Sequence, residues 1–186
     1  MSSQAFPYSP LSEPDAFRIL HLQPSPDRSA PVHCTLEHSN LSKYDFDILD
    51  PYTALSYVWG DASDQRIIRV DGEPFAVTKN LHDALKCLRD NKKILSIWAD
   101  AICIDQLDVL ERNIQVTQMG RIYSCATHTI IFLDSSSHDL DFIIQESGDI
   151  PEKSTELSDA LINKFRDLLS HFGRIMSRPW FNRVWI

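Results

Sequence analysis

A chain of 186 residues that is 43% hydrophobic and 24% charged is long enough for one domain with a real core and too short for two comfortable ones, and its composition is that of a folding chain rather than a disordered tail. The net charge of -8 argues against a nucleic-acid partner, because phosphate-backbone binding needs clustered Lys and Arg and no basic patch is visible. No run of roughly 18 apolar residues and no charged-then-apolar leader occurs, so no membrane partner is expected and a cytoplasmic location is the simplest reading.

Residues 1–15, rich in Ser and Pro, are expected to form a flexible arm. Phe17 to Leu22 alternates as a strand should, and Val32 to Leu36 is a second strand beyond the Pro24 to Pro31 loop, so the two are expected as an antiparallel edge hairpin. Thr53 to Trp59 is a stronger strand, bounded by Pro51 and Gly60. Arg66 to Val70 and Phe75 to Val77 flank Asp71-Gly72, which favours a tight hairpin turn, and Pro74 confines the second arm to an edge.

Asn80 is expected to cap a helix with Leu81, Ala84, Leu85 and Leu88 on one face, closed by Asn91-Lys92-Lys93 before a strand from Ile94. A further helix runs from about Val109 to Ala126, with Leu110, Ile114, Val116, Met119, Tyr123 and Ala126 expected on a broad apolar side, followed by the strand Thr129 to Leu133. Strand and helix alternating from 53 to 133 predict an α/β fold, with a mostly parallel sheet flanked by helices and right-handed crossovers. Ser135 to Ser154 reads as an exposed insertion, Glu156 to Met176 as an amphipathic helix, and Arg178 to Trp185 as the start of a final helix with Pro179 in its first turn.

The chemistry concentrates where the apolar run ending in Trp98-Ala99 meets Asp100, Asp105, Asp108 and Glu111, since loops at strand carboxyl ends are where α/β sheets hold ligands. Glu111 is the obvious carboxylate, and it also fits a capping box with Asp108. Asp100 and Asp105 bracket a loop, Ala101 to Ile104, in which they would contact ribose hydroxyls, share a proton, or shape the loop by bonding backbone amides. Trp59 could stack on a base beside Gly60, where a backbone without Cβ lets a ligand approach, or serve as a core tryptophan. Arg112, Arg121, Arg178 and Arg183 are candidates to pair with the carboxylates or to fork a phosphate.

Other chemistries are disfavoured. Ser56 has no neighbouring histidine and no nucleophile elbow, and no glycine-rich loop exists to cradle phosphates. Cys34, Cys87, Cys103 and Cys125 read as buried free thiols. His33-Cys34 with His38 lacks a second ligand pair at zinc-like spacing, so no metal is expected.

Read in order, Ala54-Leu-Ser-Tyr-Val-Trp-Gly60, Trp98-Ala-Asp-Ala-Ile-Cys-Ile-Asp-Gln106 with Glu111-Arg112, Met119 with Ile122-Tyr123 and Ala126, and Arg178-Pro-Trp180 with Arg183-Val-Trp185 resemble the blocks of the heterokaryon incompatibility (HET) domain. The resemblance covers roughly residues 17 to 186 and implies a single HET domain over 16–186. It further implies a fungal role in non-self recognition and programmed cell death, and a fold similar to Toll/interleukin-1 receptor (TIR) domains, a flavodoxin-like sheet.

Some TIR domains cleave NAD, using a glutamate shortly after a tryptophan. By that analogy the family pattern runs past Trp185 into a Gln-Glu pair, so the C-terminal motif is truncated here. The resemblance thus implies two alternatives. One is a nucleotide hydrolase with NAD as substrate and no required cofactor; the residues read above would then serve it, Glu111, Asp100 and Asp105 as catalytic residues in place of the glutamate beyond Trp185, and Trp59, Gly60, Arg112 and Arg183 as ligand-binding residues. The other is an adaptor that works by self-association or with an NLR-type signalling partner.

Overall fold

A computed structural model describes residues 6–44 and 52–133, together with Arg166, Ser170 and Ser177. The chain divides into two compact units, 1–132 and 133–186. In the second unit Arg166 and Ser170 are helical and exposed and Ser177 lies in a turn. The predicted insertion over 135–154 and the elements carrying Arg178 and Arg183 lie outside the described residues, as does the rest of the predicted helix over 156–176.

The first unit is built from β1 (Ala16–Leu22), β2 (His33–Asn40), a 3-10 turn (Leu41–Tyr44), β3 (Thr53–Tyr57), β4 (Gln65–Val70), β5 (Glu73–Thr78), α1 (Lys79–Leu88), β6 (Leu95–Trp98), α2 (Asp100–Cys103), α3 (Val109–Cys125) and β7 (His128–Phe132). The strands form one seven-stranded sheet in the order β5-β4-β2-β1-β6-β3-β7. The prediction of a mostly parallel sheet is corrected to a mixed one. β3 runs parallel to β6 and β7 as the alternating order implies, and β2 runs parallel to β4, but β1 is antiparallel to both β2 and β6, and β4 to β5.

The predicted edge hairpin of β1 and β2 is corrected in the same way, because β1 lies in the middle of the sheet. The reason is visible in its burial: every β1 residue except His21 is buried, and a strand covered on both faces belongs in a sheet interior. Phe17, Leu20, Leu55, Ile97 and Trp98 form the heart of the core around it. Apparent alternation in β1 therefore disguised a strand buried at all but His21 and carrying a buried charge, Arg18.

The β4–β5 hairpin forms as predicted, with Asp71 at φ 51 and Gly72 at φ 84, the pair of left-handed residues that a type I′ turn needs. β5, with Pro74, is an edge strand of the sheet. The start of α1 is corrected: Thr78, not Asn80, is the cap, its hydroxyl accepting from Leu81 N at 3.5 Å.

The helix α3 spans nearly the predicted residues, and Met119, Tyr123 and Ala126 pack against the core as predicted, but the first half of the predicted apolar side does not. Leu110, Ile114 and Val116 are exposed, while Gln115 and Ile122 are its buried residues. Polar anchoring sets this rotation: Gln115 Nε2 donates to the Ala16 carbonyl at 2.8 Å, and the Tyr52 hydroxyl donates to the Ile122 carbonyl. All four cysteines are free; Cys34 and Cys103 are buried as predicted, whereas Cys87 is exposed and Cys125 half-buried.

Candidate functional site

At the carboxyl end of β6 the chain does not form the open loop that the sequence suggested between Asp100 and Asp105. Residues Asp100–Cys103 close a single helical turn, α2, before a short link to α3. Asp100 organises this turn. Its Oδ1 accepts from Ala101 N at 2.8 Å and its carbonyl accepts from Gln106 Nε2 at 2.9 Å. Its Oδ2 accepts from Trp59 Nε1 at 3.0 Å, so two of the candidate residues meet directly.

Trp59 is 43% exposed, which corrects the reading of it as a core tryptophan; the indole N–H is spent on Asp100 and the ring faces outward. Gly60 follows at φ 78, and a Cβ there would stand 3.4 Å from Asn80 Cβ. Asn80 in turn donates from Nδ2 to the Val58 carbonyl, so the β3 end is clasped by the first turn of α1. Buried Tyr57, just before this corner, is pushed well above the ordinary tyrosine range by burial and by the Asp100 charge.

The second half of the site is a ladder of carboxylates. Asp105 Oδ1 accepts from Leu107 N at 3.0 Å and from Asp108 N at 3.4 Å. Asp108 then caps α3, its Oδ1 accepting from Leu110 N at 2.9 Å and Glu111 N at 3.1 Å. Only this half of the predicted capping box exists. The Glu111 carboxylate does not return to the cap N–H, which Asp105 already occupies; it reaches Asp105 N at 2.8 Å instead.

What draws Glu111 away is Arg18. The guanidinium, 1% exposed, forms a two-pronged pair with Glu111, Nη1 to Oε1 at 2.6 Å and Nη2 to Oε2 at 2.8 Å. It also donates to the carbonyls of Cys103 at 3.1 Å and Ser9 at 2.8 Å, and lies 4.7 Å from the centre of the Tyr8 ring. Burial alone would raise the Glu111 carboxyl, but the Arg18 hydrogen bonds, the Asp105 N–H and the Arg18 charge together hold it below the usual glutamate range. Glu111 is therefore kept ionised.

Arg18 and Tyr8 were not among the candidates. An arginine inside the otherwise apolar run Phe17-Arg18-Ile19-Leu20 was the available signal, because a charge on a buried strand must find a partner. Tyr8 belongs to the predicted arm, whose residues 6–14 lie against the domain: Tyr8 donates to the Ile102 carbonyl at 2.8 Å, Gln118 Nε2 to the Pro14 carbonyl at 2.6 Å, and the Phe6 and Phe75 rings stand 5.2 Å apart. Arg112 donates from Nη1 to the Gln106 carbonyl at 3.3 Å, Arg121 is exposed on α3, and Arg183 lies outside the described residues.

Two clefts flank the ladder. One, of about 450 Å³, is lined by Tyr8, Arg18, Asp105, Asp108, Leu110 and Glu111 among others. The other, of about 680 Å³, runs along Phe6, Phe75, Gln106 and Leu107. They share Tyr8, Asp105 and Asp108, and neither reaches Trp59, Gly60 or Asp100. The candidates thus fall into two places, a Trp59–Asp100 corner and an Asp105–Glu111 ladder beside open clefts. Among the described residues no three His, Cys, Asp or Glu side chains gather as a metal set, and no described helix is long and apolar enough to cross a membrane.

Fold and site together define a mixed α/β domain in which an acidic helix start is tied to a buried arginine of the central strand. The heterokaryon incompatibility (HET) protein family matches this chain over residues 52–186, and the chain belongs to that family. It is also similar to heterokaryon incompatibility protein 6, OR allele, of Neurospora crassa, at 28% identity over a 222-residue alignment that takes in 94% of this chain and 32% of that protein. The chain therefore spans about a third of the length of this relative. No solved structure matches it.

Proposed function

We propose that this chain acts in fungal heterokaryon incompatibility, as a cytoplasmic module of non-self recognition coupled to programmed cell death, and that it works by association rather than by turning over a nucleotide. Family membership and the Neurospora crassa relative support the role. The association reading is carried by one observation: both Glu111 carboxylate oxygens are taken up by Arg18 and Asp105 N. A carboxylate so engaged is a joint of the fold, and freeing it for a substrate would leave a buried guanidinium without its counter-charge.

Nucleotide hydrolysis of the TIR type, with NAD as substrate, is a second reading. What favours it is the cleft of about 450 Å³ that Glu111 and Asp105 border, together with the ionised state of Glu111, which stabilisation of an oxocarbenium-like ribosyl transition state would require. Under this reading Asp100 and Trp59 shape the neighbouring corner, and Arg112, which lines neither cleft, is left as the candidate for phosphate.

Expression in a filamentous fungus tests the role. The chain should arrest growth or kill compartments when produced at high level, and variants that fold but no longer associate should not. Full toxicity from a variant that is monomeric in solution would overturn the association reading.

A further inference from the structure

We infer that copies of this chain associate head to tail, the loop Lys92-Lys93-Ile94 of one copy seating in the acidic and apolar groove at the start of α3 of the next. The inference rests on the association reading above and names its contact. The groove is continuous, because its two clefts share Tyr8, Asp105 and Asp108. Its walls and rim carry exposed apolar side chains, Leu107 at 78%, Leu110 at 76% and Ile114 at 52% exposure. Side chains of this kind, gathered around carboxylates, mark an interaction surface rather than ordinary solvent-facing helix.

The complement is on the chain itself. Asp90 Oδ1 accepts from Lys92 N at 2.6 Å and Lys93 N at 2.8 Å, folding a tight turn that presents both lysines. Ile94 beside them is 56% exposed. Among the described residues neither lysine is in an ion pair. In a chain of net charge -8, two adjacent ammonium groups followed by a bare isoleucine are the natural counterpart of carboxylates ringed by leucine and isoleucine.

Geometry makes the contact one between copies. Ile94 immediately precedes β6, and Ala101, which lines the groove, closely follows it, so loop and groove lie at opposite ends of that strand. Two different patches on opposite ends form a heterologous contact, which propagates into a ring or an open filament rather than closing as a symmetric dimer.

Sedimentation velocity of the 186-residue chain across a wide concentration range tests this. The wild type should grow beyond a dimer with concentration and dissociate as salt screens the charges. A Lys92→Glu/Lys93→Glu variant and a Leu110→Ser/Ile114→Ser variant, all at exposed positions, should each lose at least about tenfold in association constant, equivalent to about 1.4 kcal/mol. Mixed together they should form one-to-one pairs and nothing larger, because each retains only one working face. If the wild type assembles and either variant still does so equally well, this contact is overturned while association stands. A wild type that stays monomeric throughout overturns both.

Discussion

Replacing Arg18 by Met should show how far the site depends on one buried pair. The guanidinium is 1% and the Glu111 side chain 11% exposed, so removing either partner strands the other's charge in a water-poor setting. Breaking such a pair costs about 3 kcal/mol, and for a chain of this length that lowers Tm by about 6–12 °C. Glu111→Gln keeps an oxygen for Asp105 N but cancels the charge, and should cost a similar amount. The double variant leaves no charge behind, so it should lose about 2–3 kcal/mol less than the sum of the singles.

Urea unfolding followed by tryptophan fluorescence would measure this cycle. The pH dependence supplies a second reading of it. Because the folded carboxyl lies below the ordinary 4.5, the unfolded chain binds more protons between the two values and stability rises with pH there. The contribution is complete above the unfolded value and disappears as pH falls through the folded one. Wild type should therefore lose more stability on acidification than Glu111→Gln. A coupling energy under about 0.5 kcal/mol, or parallel pH curves, would refute the claim that this pair holds the α3 start to β1.

Trp59→Phe removes the indole donor to Asp100 while keeping a ring, and should cost about 1 kcal/mol by urea unfolding. Gly60→Ala forces a side chain onto a backbone at φ 78 beside Asn80; a loss of about 1–2 kcal/mol is expected, and no loss would mean the β3 corner relaxes freely. Among the thiols, Cys87 should react first with an aromatic disulfide reagent in the native protein. Cys34 and Cys103, buried and pushed up to about 12, should stay silent until the chain unfolds.

Much of this was legible in the residues. Asp71-Gly72 forced a hairpin, and Asp108 capped α3 where its spacing said it should. The runs around Leu55 and Ile97 became parallel neighbours as the strand and helix order implied. The failures share a cause, which is that local pattern does not register what covers a segment. β1 looked half-exposed and lay at the centre; the first half of α3 looked apolar through Leu110, Ile114 and Val116 and buried Gln115 instead, because a polar contact to Ala16 set its rotation. Glu111 was found as a carboxylate but assigned the wrong local partner, since its true one, Arg18, lies far along the chain. The exposure of Leu107 and Leu110 was likewise invisible before the helix was placed.

The proposed role of the carboxylates at the end of β6 is to build the fold and an association surface rather than a hydrolytic centre. NAD turnover by the purified chain, measured at concentrations where it assembles and compared with Glu111→Gln, tests it most directly. Neither protein should cleave NAD. Cleavage by the wild type that disappears in a folded Glu111→Gln variant would contradict it and return Glu111 to the role of catalytic residue.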